Sequence, residues 1–388
     1  MKNYYFFVIL LIFILFSCES ENSSTEANDD NSPGNGNSYP EFLAFYEPEG
    51  ENIMGEEKQL VLIQVQNGET NYSSFYDLYP YGDDFFRNSD FNENILAMGL
   101  HYDLYDDGSR GVYIDIENGE HTELPMVGPS QDSDYSYFLS STSRVSENGM
   151  ILYLSATNDR HYGDEYTPYL IRYNPEENTH KVAVSPESFV LNQPEKGDDT
   201  ETGQINRNVY ISPDGRYAYG MIEAYGVSGN IHWDYEILFS YDFENEEYTR
   251  IGEEGDADVK FYGMTRDGKN ILYSNDGIKK IYNIATQATS EFNFTYGSIY
   301  PIETNDNGFC DTKTTGIYYY DCINRQEINV IHSYNTEHAH FSKSGDFLYF
   351  TLEGSDKYIC RSKDLAEDTE WDTLGTVPKE FTDIKFLR

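Results

Sequence analysis

The chain has 388 residues and a formal net charge of −42, from 26 Lys+Arg against 68 Asp+Glu. So acidic a surface repels phosphate, which excludes non-specific binding to nucleic acid. Yet 16% of the residues are aromatic, 36 Tyr and 23 Phe among them, so most of the chain folds, and its strand-favouring side chains point to an all-β protein.

Lys2 is followed by an apolar run over residues 4–16. That is short of the roughly 20 residues a spanning helix needs, and it fits the apolar centre of a secretory signal. The run ends in Leu15-Phe16-Ser17-Cys18. This resembles a bacterial lipobox, with Leu at −3, a small residue at −1 and Cys at +1; Phe16 at −2 departs from the commonest pattern. The resemblance implies a signal peptide over 1–17, cleavage before Cys18, and lipidation of that cysteine by acyl chains such as palmitate. Two or three acyl chains hold a protein stably on a membrane. An uncleaved apolar anchor is the alternative. Residues 18–40 are Ser, Asn, Gly, Asp and Glu with almost no apolar side chain, a flexible tether reaching about 25 Å. Glu19 and Glu21 are similar to the acidic signals that send lipoproteins of Bacteroidota to the cell surface. The expected location is the bacterial outer membrane, lipid-anchored, with the periplasmic face and the cell surface both open.

A repeat occupies the remaining 41–388, expected to be one domain. Its first unit is Ser/Thr-x-x-Gly followed by a strand. It recurs as Ser146-Glu147-Asn148-Gly149, Ser212-Pro213-Asp214-Gly215, Thr265-Arg266-Asp267-Gly268 and Ser342-Lys343-Ser344-Gly345. Asn305-Asp306-Asn307-Gly308 is a degenerate copy, and Ser89-Asp90-Phe91-Asn92 a weaker one. Asp-Gly and Asn-Gly favour tight turns at positive φ, so each copy predicts strand, hairpin, strand. The second unit is an aromatic-rich strand ending in Asp or Asn, as in Val112-Tyr113-Ile114-Asp115 and Leu238-Phe239-Ser240-Tyr241-Asp242. Seven such anchors spaced by about 50 residues fit the blade period of a β-propeller. Seven blades are predicted, with six as the alternative. Only six hairpins are visible, so one blade lacks its own first strand. The lone strand near 381–387 is predicted to pair with 42–45 and close the ring.

Ser212-Pro213-Asp214-Gly215-Arg216-Tyr217-Ala218-Tyr219 resembles the WD40-like repeat of TolB-type propellers, also found in the propellers of prolyl oligopeptidase relatives. The resemblance specifies the fold and says little of function. It opens the alternative of a TolB-like accessory subunit of an envelope transport complex. No nucleophile elbow, P-loop, His-Glu-x-x-His or EF-hand loop is present.

In a propeller the innermost strand of each blade lines a central channel. Counting two residues back from each hairpin start gives one row: Arg87, Arg144, Tyr210, Gly263, Glu303 and His340. The arginines suit a carboxylate or phosphate ligand, while a water-filled channel of mutually satisfied groups is the plainer alternative. In Glu337-His338-Ala339-His340, strand alternation places His338 and His340 on one face, a candidate divalent metal pair. This pattern is similar to the metal site of propeller-fold oligogalacturonate lyases, which implies a metal-dependent polysaccharide lyase as a further alternative. Tyr153, Tyr219, Tyr273 and Tyr349 are expected in packing between blades rather than on sugars, and Trp occurs only at 233 and 371. The polar insertion at 192–204 is expected as a contact loop, and acidic runs such as 103–107 as solvated loops. Cys310 and Cys322 fall on consecutive strands, open either to a bridge or to two free thiols, with Cys360 left odd. The expected function is a binding or scaffold module for a protein or glycan partner at the envelope, with no cofactor firmly implied and more in keeping with a non-enzyme.

Overall fold

A computed structural model describes residues 40–46, 58–78, 90–92, 94–101, 109–125, 136–138, 143–158, 166–192, 200–206, 208–228, 231–252, 259–293, 303–333 and 335–387. The chain divides into two units, Met1–Pro40 and Glu41–Arg388, and the architecture below is that of the second. Cys18, the signal and the tether lie outside the described residues, as do Arg87 and the acidic run at 103–107. No described helix is long and apolar enough to cross a membrane.

Seven antiparallel sheets of four or five strands make a seven-bladed β-propeller. Blades 2 to 7 follow one another along the chain. Their short inner strands are Asp90–Phe91, Arg144–Val145, Tyr210–Ile211, Val259–Met264, Glu303–Thr304 and Thr336–Phe341. Blade 1 is built from both ends of the domain. Its inner strand, Phe381–Phe386, pairs with Glu41–Tyr46, and Lys58–Gln66 and Glu69–Leu78 complete the sheet. The predicted closure is therefore the one observed, and the missing seventh hairpin is accounted for. Closure pairs what would otherwise be an open sheet edge.

Apolar strand residues bury themselves between blades. Seven core clusters fill the seven junctions; one joins blades 3 and 4 through Leu152, Leu154, Phe239 and Tyr241, another joins blades 7 and 1 through Phe42, Tyr349, Ile384 and Phe386. Each fully buried large side chain contributes about 1.5–3 kcal/mol. Tyr153, Tyr219, Tyr273 and Tyr349 are buried in these junctions, as expected from the sequence. At the last junction Tyr349 stacks on Phe386 with ring centroids 4.0 Å apart.

Both sequence units have a local cause. In the hairpins at Ser146, Ser212 and Thr265, the side-chain hydroxyl donates to the Asn or Asp two residues on and accepts the backbone N–H after the turn. The glycines adopt φ of 83° at Gly149, 70° at Gly215, 69° at Gly268 and 79° at Gly345. The Asp or Asn ending the other unit caps a turn: Asp115, Asn174, Asp242 and Asp321 each accept two following backbone N–H groups.

Three expectations need correction. The weak copy at Ser89 is displaced: Asn92 takes the hairpin-starting role, with its N–H on the Ile95 carbonyl and its side chain accepting the N–H of Ile95. Asn305 starts a shorter version of the same turn, closed on the residue three positions on rather than four or five, so Gly308 lies in a strand and not at a turn. The insertion at 192–204 is partly strand, since Thr200–Ile205 pairs with Tyr217–Ser228; residues 193–199 lie outside the described set. Cys310, Cys322 and Cys360 are free thiols. Cys310 stands opposite Tyr319, three residues from Cys322, so the two sulfurs do not face each other for a bridge.

Candidate binding site in the central channel

Each inner strand carries one residue two positions before its hairpin, and each pairs with the residue two positions after it. These are Asp90 with Ala97, Arg144 with Leu152, Tyr210 with Tyr219, Gly263 with Leu272, Glu303 with Cys310 and His340 with Tyr349. Lys385 pairs with Leu43 in the same register in blade 1, where the Leu387 N–H on the Glu41 carbonyl replaces the hairpin bond. The structure thus supplies the seventh position, which sequence reading missed for want of a turn after the last strand. It also places Asp90 at this position in blade 2, while the predicted Arg87 lies outside the described residues.

Most of these side chains lean on the next blade. Arg144 lies over the Tyr210 ring, 4.7 Å from its centroid, and its Nη1 donates to the Ser143 carbonyl at 2.8 Å. Tyr210 reaches across to blade 5, its hydroxyl 3.4 Å from the Tyr262 carbonyl. Gly263 makes room for it, since a Cβ there would stand 3.3 Å from both the Tyr210 hydroxyl and the Phe309 ring. His340 Nδ1 is 3.0 Å from Glu303 Oε1, and its Nε2 is 2.9 Å from the Ile384 carbonyl. A carbonyl only accepts, so Nε2 carries a proton. His340 therefore ties blade 6 to the closing strand.

Charge couples the ring across the channel. Burial raises the Asp90 carboxyl above its ordinary range, against the opposing pull of Arg144 and Lys385 and two backbone N–H bonds. Burial also raises Tyr210, with Arg144 acting against it. For Glu303 burial again pushes upward, but His340, Lys385 and Arg266 outweigh it and hold the carboxyl low. Glu303 is ringed by protein yet keeps 43% of its side chain accessible, so solvent enters beside it. Arg144 is only 6% exposed, and its Nη2 has no hydrogen-bond partner among the described residues.

The metal pair does not form as strand alternation predicts. His338 has φ 49° and the register shifts between Glu337 and His340, a β-bulge that breaks the two-residue period. The two histidines border one small, mostly apolar cavity with Phe42, Ile359 and Ile384. Both ring nitrogens of His340 are engaged, and no three His, Cys, Asp or Glu side chains converge among the described residues. This donor set does not suit a divalent ion.

No family model and no curated protein matches the chain. Solved structures similar to it include TolB from Acinetobacter baumannii, at 12% identity over 87% of this chain and 81% of that one, with a TM-score of 0.41. A putative 6-phosphogluconolactonase from Bacteroides uniformis is 13% identical over 90% of this chain and 99% of that one, at 0.47. An acylaminoacyl peptidase from Pyrococcus horikoshii is 12% identical over 73% of this chain and 44% of that one, at 0.46, so this chain spans less than half of the peptidase. None of these likenesses assigns a site or an activity here.

Proposed function

We propose that this chain is a lipid-anchored envelope propeller that binds a protein segment or a glycan at its central channel. The ring of Asp90, Arg144, Tyr210, Glu303, His340 and Lys385 carries the reading. Stability alone does not call for it, because apolar clusters already fill every blade junction. Bringing charges together in a confined space costs desolvation. Convergent polar groups with displaced titration, on a rigid scaffold, are the usual marks of a ligand site. Anchoring at Cys18 and the short tether would hold that site at the membrane surface.

Two measurements test the reading on the full chain. Palmitate labelling should mark the intact protein and be lost in Cys18→Ser, together with sedimentation in the membrane fraction. Calorimetric titration with glycan fragments and envelope-derived peptides should find a ligand that is recovered chemically unchanged after long incubation. A ligand recovered cleaved would make the protein an enzyme, and an unlabelled, soluble wild type would remove the anchor.

A further inference from the structure

The ring's hydrogen bonds are unevenly spent. The Asp90 carboxylate accepts from the Phe91 N–H at 3.0 Å and the Val145 N–H at 2.8 Å. Glu303 is taken up by His340, and His340 by Glu303 and the Ile384 carbonyl. The acceptors of the ring therefore already have donors. Arg144 is the converse case. One terminal nitrogen donates to Ser143, while the other is buried with no acceptor among the described residues. A buried charged donor without a partner is costly, which marks Arg144 as the ring's open point for an acceptor.

Charge points the same way. Arg144, Lys385 and Arg266 act on the ring's acids alongside His340, against the two carboxyls of Asp90 and Glu303. Burial raises the Asp90 carboxyl, against the pull of Arg144 and Lys385. The ring thus sets two full cations, Arg144 and Lys385, beside its two carboxyls, a far more basic balance than that of the chain as a whole, whose net charge is −42. The guanidinium also lies over the Tyr210 ring, which restrains its plane, and a planar fork of fixed orientation suits a flat or tetrahedral oxyanion.

Resting on the binding-module reading, we propose that the ligand carries a carboxylate or phosphate group and that this oxyanion seats on Arg144, with Lys385 as its second cation. Recognition is then one charged group held in the ring, with the rest of the ligand leaving through the solvent-filled side near Glu303.

The test is calorimetric titration of the full chain with three forms of one sugar: glucuronate, glucose 6-phosphate and glucose. The expected result is binding of at least one charged form and none of glucose, and which charged form binds tells carboxylate from phosphate. Arg144→Met keeps an unbranched apolar side chain of similar reach and should weaken that binding roughly tenfold or more, the usual loss for a charge-assisted hydrogen bond. Should Arg144→Met fail to fold by circular dichroism, Lys385→Gln, at a half-exposed position, should weaken binding severalfold. Equal affinity for glucose overturns the oxyanion assignment. So does charged-sugar binding that neither substitution alters, or no binding of either charged form at 10-millimolar order concentrations. In each of these cases the binding-module reading still stands or falls on its own glycan and peptide titration.

Discussion

At the scale of single residues, the hairpin glycines and the turn-capping acids are where sequence dictates structure most directly. Gly215 has φ 70°, and a Cβ there would fall 2.5 Å from Met150 Cγ in the neighbouring blade. Gly68 has φ 82° with nothing within 4 Å of the same position. Gly68→Ala therefore meets the backbone cost alone, while Gly215→Ala must also displace Met150. We expect Gly215→Ala to cost about 1–3 kcal/mol and Gly68→Ala distinctly less, read as denaturant midpoints at unchanged slope. Asp242 gives a pH prediction. It accepts a forked pair from Arg216, with Nη2 at 2.6 Å, besides the N–H groups of Glu244 and Asn245. The Arg216 hydrogen bonds chiefly hold its carboxyl well below the ordinary range. A group whose folded titration is depressed stabilises above its unfolded value, about 3.9, and loses that contribution as pH falls below it. Asp242→Asn should therefore be less stable than wild type at pH 5, and the gap should narrow between about pH 4 and pH 2. A gap that widens on acidification would refute the assignment.

At the scale of elements, the closing strand is where the two ends of the domain meet. Phe386 packs between Phe42 and Tyr349, at 5.5 and 4.0 Å between centroids, and Lys357, almost wholly buried, donates to the Phe381 carbonyl at 3.0 Å. Phe386→Ala should cost about 3–5 kcal/mol, and removal of 379–388 should abolish cooperative melting or solubility. An unchanged melting curve after that deletion would contradict the closure. This element was legible in the sequence, because six hairpins for seven anchors leaves one strand to be supplied from the far end. The channel row was legible wherever a Ser or Thr hydroxyl marks the hairpin, which is how Arg144, Tyr210 and His340 were found; the degenerate Asn305 hairpin gave Glu303. It failed where the chemistry changes. Asn92 performs the hydroxyl's task with an amide in a shorter turn, so counting from Ser89 gave Arg87 in place of Asp90. Lys385 precedes no turn and carries no motif. The positive φ of His338 follows from a bulge set by tertiary pairing, which periodicity in the strand does not reveal.

At the scale of the whole molecule, a rigid ring of blades holds a set of charged groups that its own packing does not require. The blades position these groups through register, each two residues before its hairpin, or for Lys385 before the Leu387 bond that stands in for one. Function then resides in one layer of the channel, while the net charge of −42 sets the rest of the chain against polyanions. The most direct test is native mass spectrometry of the full chain isolated gently from cells in mild detergent, compared with Arg144→Met prepared the same way. The expected result is a small-molecule or short-chain adduct on the wild type that is absent from the variant. Identical spectra from the two folded proteins, whether both bare or both carrying the adduct, would contradict a ligand held in the ring.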